Sequence, residues 1–166
     1  MLEQQSVSDD GRPLAPSEMA VWHALKRLSE TALSLVGADI EAASGLSGAD
    51  FGILSRLEDL GGGTLHQHEL AKLLGWQKAR LSHQLTRMQS RALLRRDCPA
   101  AGIGVQVSIL QAGRDAIATA RPVHAASIRQ HVLRHIREKE ARTLVDVVQR
   151  LKGAEAGPGG APRRKS

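Results

Sequence analysis

The 166-residue chain reads as a mainly α-helical fold with one small β-hairpin. Three observations predict this. Aliphatic residues recur at three- and four-residue spacing over most of the length, the period of a helix with one apolar side. Val105, Val107 and Ile109 instead alternate with polar residues, the period of a strand, shortly after a second candidate strand, "LLRRD". The apolar set is mostly Leu, Val, Ile and Ala, with one Phe, two Trp and no Tyr, which favours aliphatic helical seams over an aromatic-rich sandwich. The length suits a single domain with a real core.

Residues 1–16 are polar and contain Gly and Pro, so a flexible N-terminus is expected there. Ser17 is placed to cap a first helix over about 17–44, in which Val21, Leu25, Leu28, Ala32, Leu35, Val36 and Ile40 form one stripe. A helix of that length needs something to pack on. "GLSGAD" restarts the pattern: Ser47 with Asp50 makes a capping box, and Phe51, Leu54, Leu57 and Leu60 are expected to face inward. Gly61–Gly63 end that helix. A short third helix covers about 67–74, and Gly75 provides the left-handed turn that closes it. A fourth follows over about 77–91, so that two short helices joined by a Gly-containing turn outline a helix-turn-helix. The two strands, 93–97 and 105–109, are joined by the loop "CPAAGIG". Helices over about 112–135 and 137–152 complete the fold, with Pro122 a possible kink in the first. The Gly- and Pro-rich end, 153–166, closes on Arg163, Arg164 and Lys165 and is expected to be a disordered basic tail.

The charge is not spread evenly. Lys and Arg total 23 and Asp and Glu 17, a formal net charge of +6. Residues 77–96 contain Lys78, Arg80, Arg87, Arg91, Arg95 and Arg96 and no acid, so this one segment carries the whole excess. A solvated helix face ordinarily mixes signs to gain i,i+4 pairs. A polyanion at this segment explains the pattern better than general solubility does. On a helical wheel, at about 100° per residue, Leu85 and Met88 lie within about 40° of Leu81 and form a seam with it. Ala79, His83 and Thr86 point the other way, flanked by Arg80, Ser82 and Arg87. The major groove of B-DNA admits one α-helix, Arg can grip guanine O6 and N7 with two bonds, and Ser, Thr and His can reach base edges or phosphate. The positive N-terminus of the helix, near Lys78, adds attraction for phosphate. RNA recognition by stacking would need aromatic platforms, which are scarce here.

Other functions find little support. Cys98 is the only cysteine, so an intramolecular disulfide and a Cys-rich zinc site are excluded. The N-terminus has no apolar h-region and no run of about 18 apolar residues exists, so neither a secretory signal nor a membrane span is expected. A cytoplasmic protein, nucleoid-associated when bound to DNA, is the expectation. No Ser/His/Asp set, paired carboxylates, HExxH or phosphate-cradling loop is present, and "GGG" at 61–63 is followed by Thr-Leu. No enzyme, cofactor or metal is therefore expected. His131 and His135 have an i,i+4 spacing, with His124 on the same side, and His66 and His68 lie two apart, but no third ligand of fixed spacing joins either pair. Cys98 is read as a passive small side chain and Trp76 as packing at the helix-turn-helix junction.

The segments "GTLHQHELAKLLGWQKARLSHQLTRMQSRALLRRD" and "GVQVSILQAGRDAI" resemble the helix-turn-helix, wing strands and fifth helix of the MarR family of bacterial regulators. The order of elements agrees over about 17–152, and the "GWxKxRLSHxLTRM" form resembles an actinobacterial subgroup. The resemblance implies a winged helix-turn-helix with helical dimerisation arms: a first arm at 17–46, a DNA-binding lobe at 47–110 and C-terminal arm helices at 111–152. It implies a homodimer on pseudo-palindromic double-stranded DNA, acting as a ligand-responsive repressor. Carried onto this chain, the groove-facing positions are Lys78, Ala79, Arg80, Ser82, His83, Thr86 and Arg87, with Arg95 and Arg96 beside them at the first wing strand. Small lipophilic ligands would sit between arms and lobe; Trp22 and His23 on the first helix are candidates to line such a pocket, with core or interface placement the alternative reading. The family's wing tip usually carries a D-x-R pattern, whereas this chain has Ala101 and Ile103 there. The minor-groove arginine is thus absent, and a salt dependence shallower by up to about 2 follows for a dimer. The alternative is a MarR-like protein with weakened DNA binding that acts through ligand or protein contacts.

Overall fold

The computed structural model describes residues 11–98 and 104–155. Residues 1–10 of the expected N-terminal segment 1–16, the loop residues Ala101 and Ile103 and the tail beyond 155 lie outside the described residues.

Among the described residues, six helices and three strands follow in order: α1 (Pro16–Ser44), α2 (Gly48–Gly61), β1 (Thr64–His66), α3 (Gln67–Leu74), α4 (Lys78–Ser90), β2 (Leu94–Asp97), β3 (Gln106–Ile109), α5 (Gln111–His131) and α6 (Glu138–Glu155), with a 3-10 turn at Leu133–His135 before α6. The Ser17 cap is corrected. Pro16 occupies the first turn of α1, where its fixed φ suits the helix and its missing N–H costs nothing, so the cap falls on Ala15. The Ala15 amide donates to Glu18 Oε2 at 2.7 Å. The capping box at α2 forms as expected: the Asp50 amide donates to Ser47 Oγ, and the Ser47 amide donates to Asp50 Oδ2.

β1 is an element the sequence pattern did not reveal. Three residues are too few to show a strand period, and they follow a run of glycines. β1 pairs antiparallel with β3, which also pairs with β2, so the sheet order is β1-β3-β2. Thr64 Oγ1 donates to Ser108 Oγ across the first pair. The last helices also differ from expectation. α5 ends at His131 rather than 135, and α6 continues to Glu155, into the segment expected to be tail. Pro122 lies inside α5, whose helical run continues past it.

The core joins α2, α3, α4, the sheet and α5. Ile53, Leu54, Leu57, Leu70, Leu81, Leu85, Met88, Leu94, Val107 and Ile117 are fully buried. Phe51 joins the core, but Leu60 does not: it is 63% exposed, one turn past the packed side of α2. α5 meets the sheet very closely. A Cβ on Gly113 would lie 2.2 Å from the Leu93 carbonyl oxygen, which also accepts a hydrogen bond from the Leu110 amide. Only glycine allows that approach.

α1 packs along α5, yet of its residues only Ile40 is buried. Val21, Trp22, Leu25, Leu28 and Leu35 remain exposed, as do Val145, Val148 and Leu151 on α6. Burying each such aliphatic side chain is worth roughly 1.5–3 kcal/mol, so this apolar surface is costly in water.

Candidate nucleic-acid interface

α3 and α4 are joined through Gly75, whose φ of 64° is left-handed, and its amide donates to the Lys72 carbonyl at 3.2 Å. The Trp76 amide reaches back to the Ala71 carbonyl at 3.0 Å. α4 then presents two faces. Leu81, Leu85 and Met88 are fully buried, as the helical wheel required. Lys78, Ala79, Arg80, His83, Thr86 and Arg87 are exposed, and Ser82 is half-buried. Ala92, just past α4, takes a positive φ of 54°, a conformation that favours glycine.

The six cations of the segment divide into two groups. Arg91 belongs to the fold: its guanidinium donates to Asp50 Oδ2 at 2.8 Å and to the Gly45 carbonyl at 2.6 Å. Arg95 lies 3.0 Å from the carboxylate of Asp97. The other four have no carboxylate partner among the described residues, and three of these are steered by neutral groups. Arg80 lies 4.1 Å above the Trp76 ring, a cation–π contact that gives the indole a role beyond packing. Arg96 donates to Gln89 Oε1 and to Thr86 Oγ1, which holds this strand residue against α4. Arg87 donates to Gln84 Oε1. Lys78 opens the helix, at the positive end of its dipole.

Gln84 was not among the expected site residues. It is 6% exposed, and its Nε2 donates to Asp50 Oδ1 at 2.5 Å. The available signal was its position three residues after Leu81 and one before Leu85, inside the apolar seam. A polar residue there must find a buried partner.

Two of the cavities that border this lobe bear on the site. One, of about 320 Å³, lies between α3, the start of α4 and the foot of β3, lined by Gln67, His68, Ala71, Lys78 and Val105. The other, of about 450 Å³, lies between α1, α2 and α5, lined by Leu33, Phe51, Ser55, Arg56, Asp59 and His124 among others. Neither Trp22 nor His23 lines it. His23 sits with Lys26, Arg27 and Glu30 in a shallow depression on α1, and Trp22 is 54% exposed on the same helix. Beside the larger cavity, Arg121 bridges Glu58 at 3.1 Å and Asp59 at 2.6 Å, tying α5 to α2. Burial lowers the pKa of His124, whose ring centroid lies 4.5 Å from that of Phe51, and the charge of Arg121 adds to the shift.

The structure separates the histidines that share one side of the sequence wheel. His131 contacts Asp39 Oδ2 at 3.0 Å, and Ser127 donates to the same oxygen. These bonds hold the Asp39 carboxyl below its usual range, Ser127 first. His66 and His68 stack with ring centroids 5.6 Å apart. Among the described residues no group of three or more His, Cys, Asp or Glu could hold a metal, and no helix is long and apolar enough to cross a membrane. Cys98 is exposed at the end of β2.

No family model matches the chain, and no curated protein matches it. Solved structures do. AbsC, a MarR family transcriptional regulator from Streptomyces coelicolor, superposes with a TM-score of 0.78 at 25% identity, over 89% of this chain and 99% of its own. A second MarR family regulator from S. coelicolor, solved in complex with DNA, gives a TM-score of 0.78 at 23% identity, over 92% and 96%. The organohalide sensing RdhR regulator in its 2,4-dichlorophenol-bound form gives 0.75 at 16% identity, over the whole of both chains. The helix-turn-helix, the three-stranded wing sheet and the long flanking helices are thus assembled here in the MarR-type winged-helix fold.

Proposed function

We propose that this chain is a homodimeric regulator of transcription that binds double-stranded DNA sequence-specifically through α4 and is released by a small lipophilic ligand. One observation carries the reading: α4 buries one complete apolar face and offers on the other Lys78, Arg80 and Arg87, joined by Arg96 from β2, all four without a carboxylate partner among the described residues. An exposed helix that gained its charge only for solubility would carry acids as well. The likeness in fold to a regulator solved in complex with DNA supports DNA as the partner.

Dimerisation follows from the uncovered apolar stripes of α1 and α6, which a second copy would bury. Two-fold pairing presents α4 twice and matches an operator with half-sites about one turn apart. The cavity between α1, α2 and α5 is the natural ligand site, because it lies where the arm meets the DNA-binding lobe. A ligand that prefers the spacing unsuited to DNA shifts the population by its differential affinity for the two states. The likeness in fold to a regulator solved with bound 2,4-dichlorophenol supports a small lipophilic ligand.

Ala101 and Ile103 at the wing tip favour the second reading, weakened DNA binding with output through ligand or protein contacts. A gel-shift titration decides between the two, using duplexes selected by the protein from random genomic fragments. Retardation of selected over scrambled duplex at near-physiological salt supports specific regulation. Binding that is equal for both and lost as salt rises supports the second reading.

A further inference from the structure

We propose that buried Gln84, held by Asp50, is a positioning residue that sets the orientation of Arg87 for base reading. The proposal rests on the DNA-binding reading above and adds a specificity determinant that does not itself face the groove.

The Gln84 amide can be oriented in only one way. Its Nε2 donates to Asp50 Oδ1 at 2.5 Å, since a carboxylate only accepts, so its Oε1 turns to Arg87, which only donates. Asp50 cannot swing away. It is 1% exposed, and its Oδ2 accepts from the Ser47 amide at 3.0 Å and from Arg91 at 2.8 Å. Arg91 also donates to the Gly45 carbonyl at the end of α1, so the hub is anchored to a different helix from the one it steers. The chain from Gly45 through Arg91, Asp50 and Gln84 thus ends on an exposed guanidinium of the DNA-facing surface.

An exposed arginine has several rotatable bonds, and a bidentate grip on guanine needs its plane fixed. A guanidinium held beforehand by Gln84 loses less freedom on binding. A released one still meets phosphate as a point charge. Loss of the relay therefore weakens discrimination between sequences more than attraction to DNA in general.

The test uses the full chain and two duplexes, one enriched by the wild type from random sequence and one scrambled from it. Gln84→Met keeps volume and removes both hydrogen bonds. It is expected to weaken binding to the enriched duplex by about tenfold and to the scrambled duplex by less than about twofold. It should also relax base preference at the position that Arg87→Ala relaxes. Adding Arg87→Ala to Gln84→Met should cost less than Arg87→Ala alone, because the two act as one unit. Equal losses on both duplexes, an unchanged preference profile or simple additivity would each overturn the proposal while leaving DNA binding intact. Failure of the wild type to enrich any sequence would remove the DNA reading and this proposal with it. Should Gln84→Met not fold, the side-chain amide NMR signal of Gln84 serves instead. Arg87→Ala, a surface change, should shift that signal and speed its hydrogen exchange, and an unmoved signal would overturn the relay.

Discussion

The division of the basic segment into paired and unpaired cations makes the salt dependence of DNA binding a sharp test. Lys78, Arg80, Arg87 and Arg96 lack carboxylate partners among the described residues, and a dimer carries each twice. If all of them neutralise phosphates, the slope of log K against log salt reaches about −7, at about 0.9 per phosphate. Arg80→Ala should make it shallower by about 2, one phosphate on each protomer. Arg95→Ala should behave differently. Its guanidinium lies 3.0 Å from Asp97, so the pair brings little net charge to the DNA, and the slope should change by less than about 1. Fluorescence anisotropy with a labelled duplex, repeated at five or so salt concentrations, reads all three slopes. A slope that falls as much for Arg95→Ala as for Arg80→Ala would show that the ion pairs do not govern which cations reach phosphate. A wild-type slope shallower than about −2 would remove phosphate contact by this face altogether.

Other expectations follow from the same geometry. Leu25→Asp places a charge in the exposed stripe of α1 and should convert a dimer to a monomer in sedimentation velocity runs, with the fold retained by circular dichroism. Ala92→Gly relieves the positive φ and should raise stability by about 0.5–1 kcal/mol, the conformational strain removed less the extra freedom of glycine in the unfolded chain, measured by urea unfolding. Leu85→Ala empties a fully buried site and should cost about 2–5 kcal/mol in the same assay. His124 has its folded pKa lowered from 6.5, so the unfolded state binds the proton more readily. Its contribution is fully present above about 6.5 and is lost as pH falls toward the folded value, and His124→Gln should flatten the decline in stability over that window.

Much of this fold is written in local chemistry. Ser47 and Asp50, Gly75, and the spacing of Leu81, Leu85 and Met88 each act over a few residues, and each appears in the structure as the sequence implied. What was hidden depends on distant partners. β1 exists because β3 offers an edge to Thr64–His66, with Thr64 paired to Ser108 and His66 to Gln106 far along the chain. Arg91 counts as a surface cation until Asp50, folded back from α2, takes its charge out of play. Gln84 looks like an ordinary polar residue until the same carboxylate explains its burial. Trp22 and His23 lie on the first arm helix, and which cavity a residue of that helix lines depends on how the arm packs.

The glycine contact between α5 and the sheet has a mechanical consequence. With no side chain at position 113, the helix and the Leu93 carbonyl touch without any cushioning atoms between them. A 21-residue helix is about 30 Å long, so a tilt of a few degrees about that contact moves its far end by an ångström or two. Read in the other direction, a modest displacement at the distal end becomes a small rotation of the hairpin. The molecule thus has a stiff pivot built from the smallest residue available.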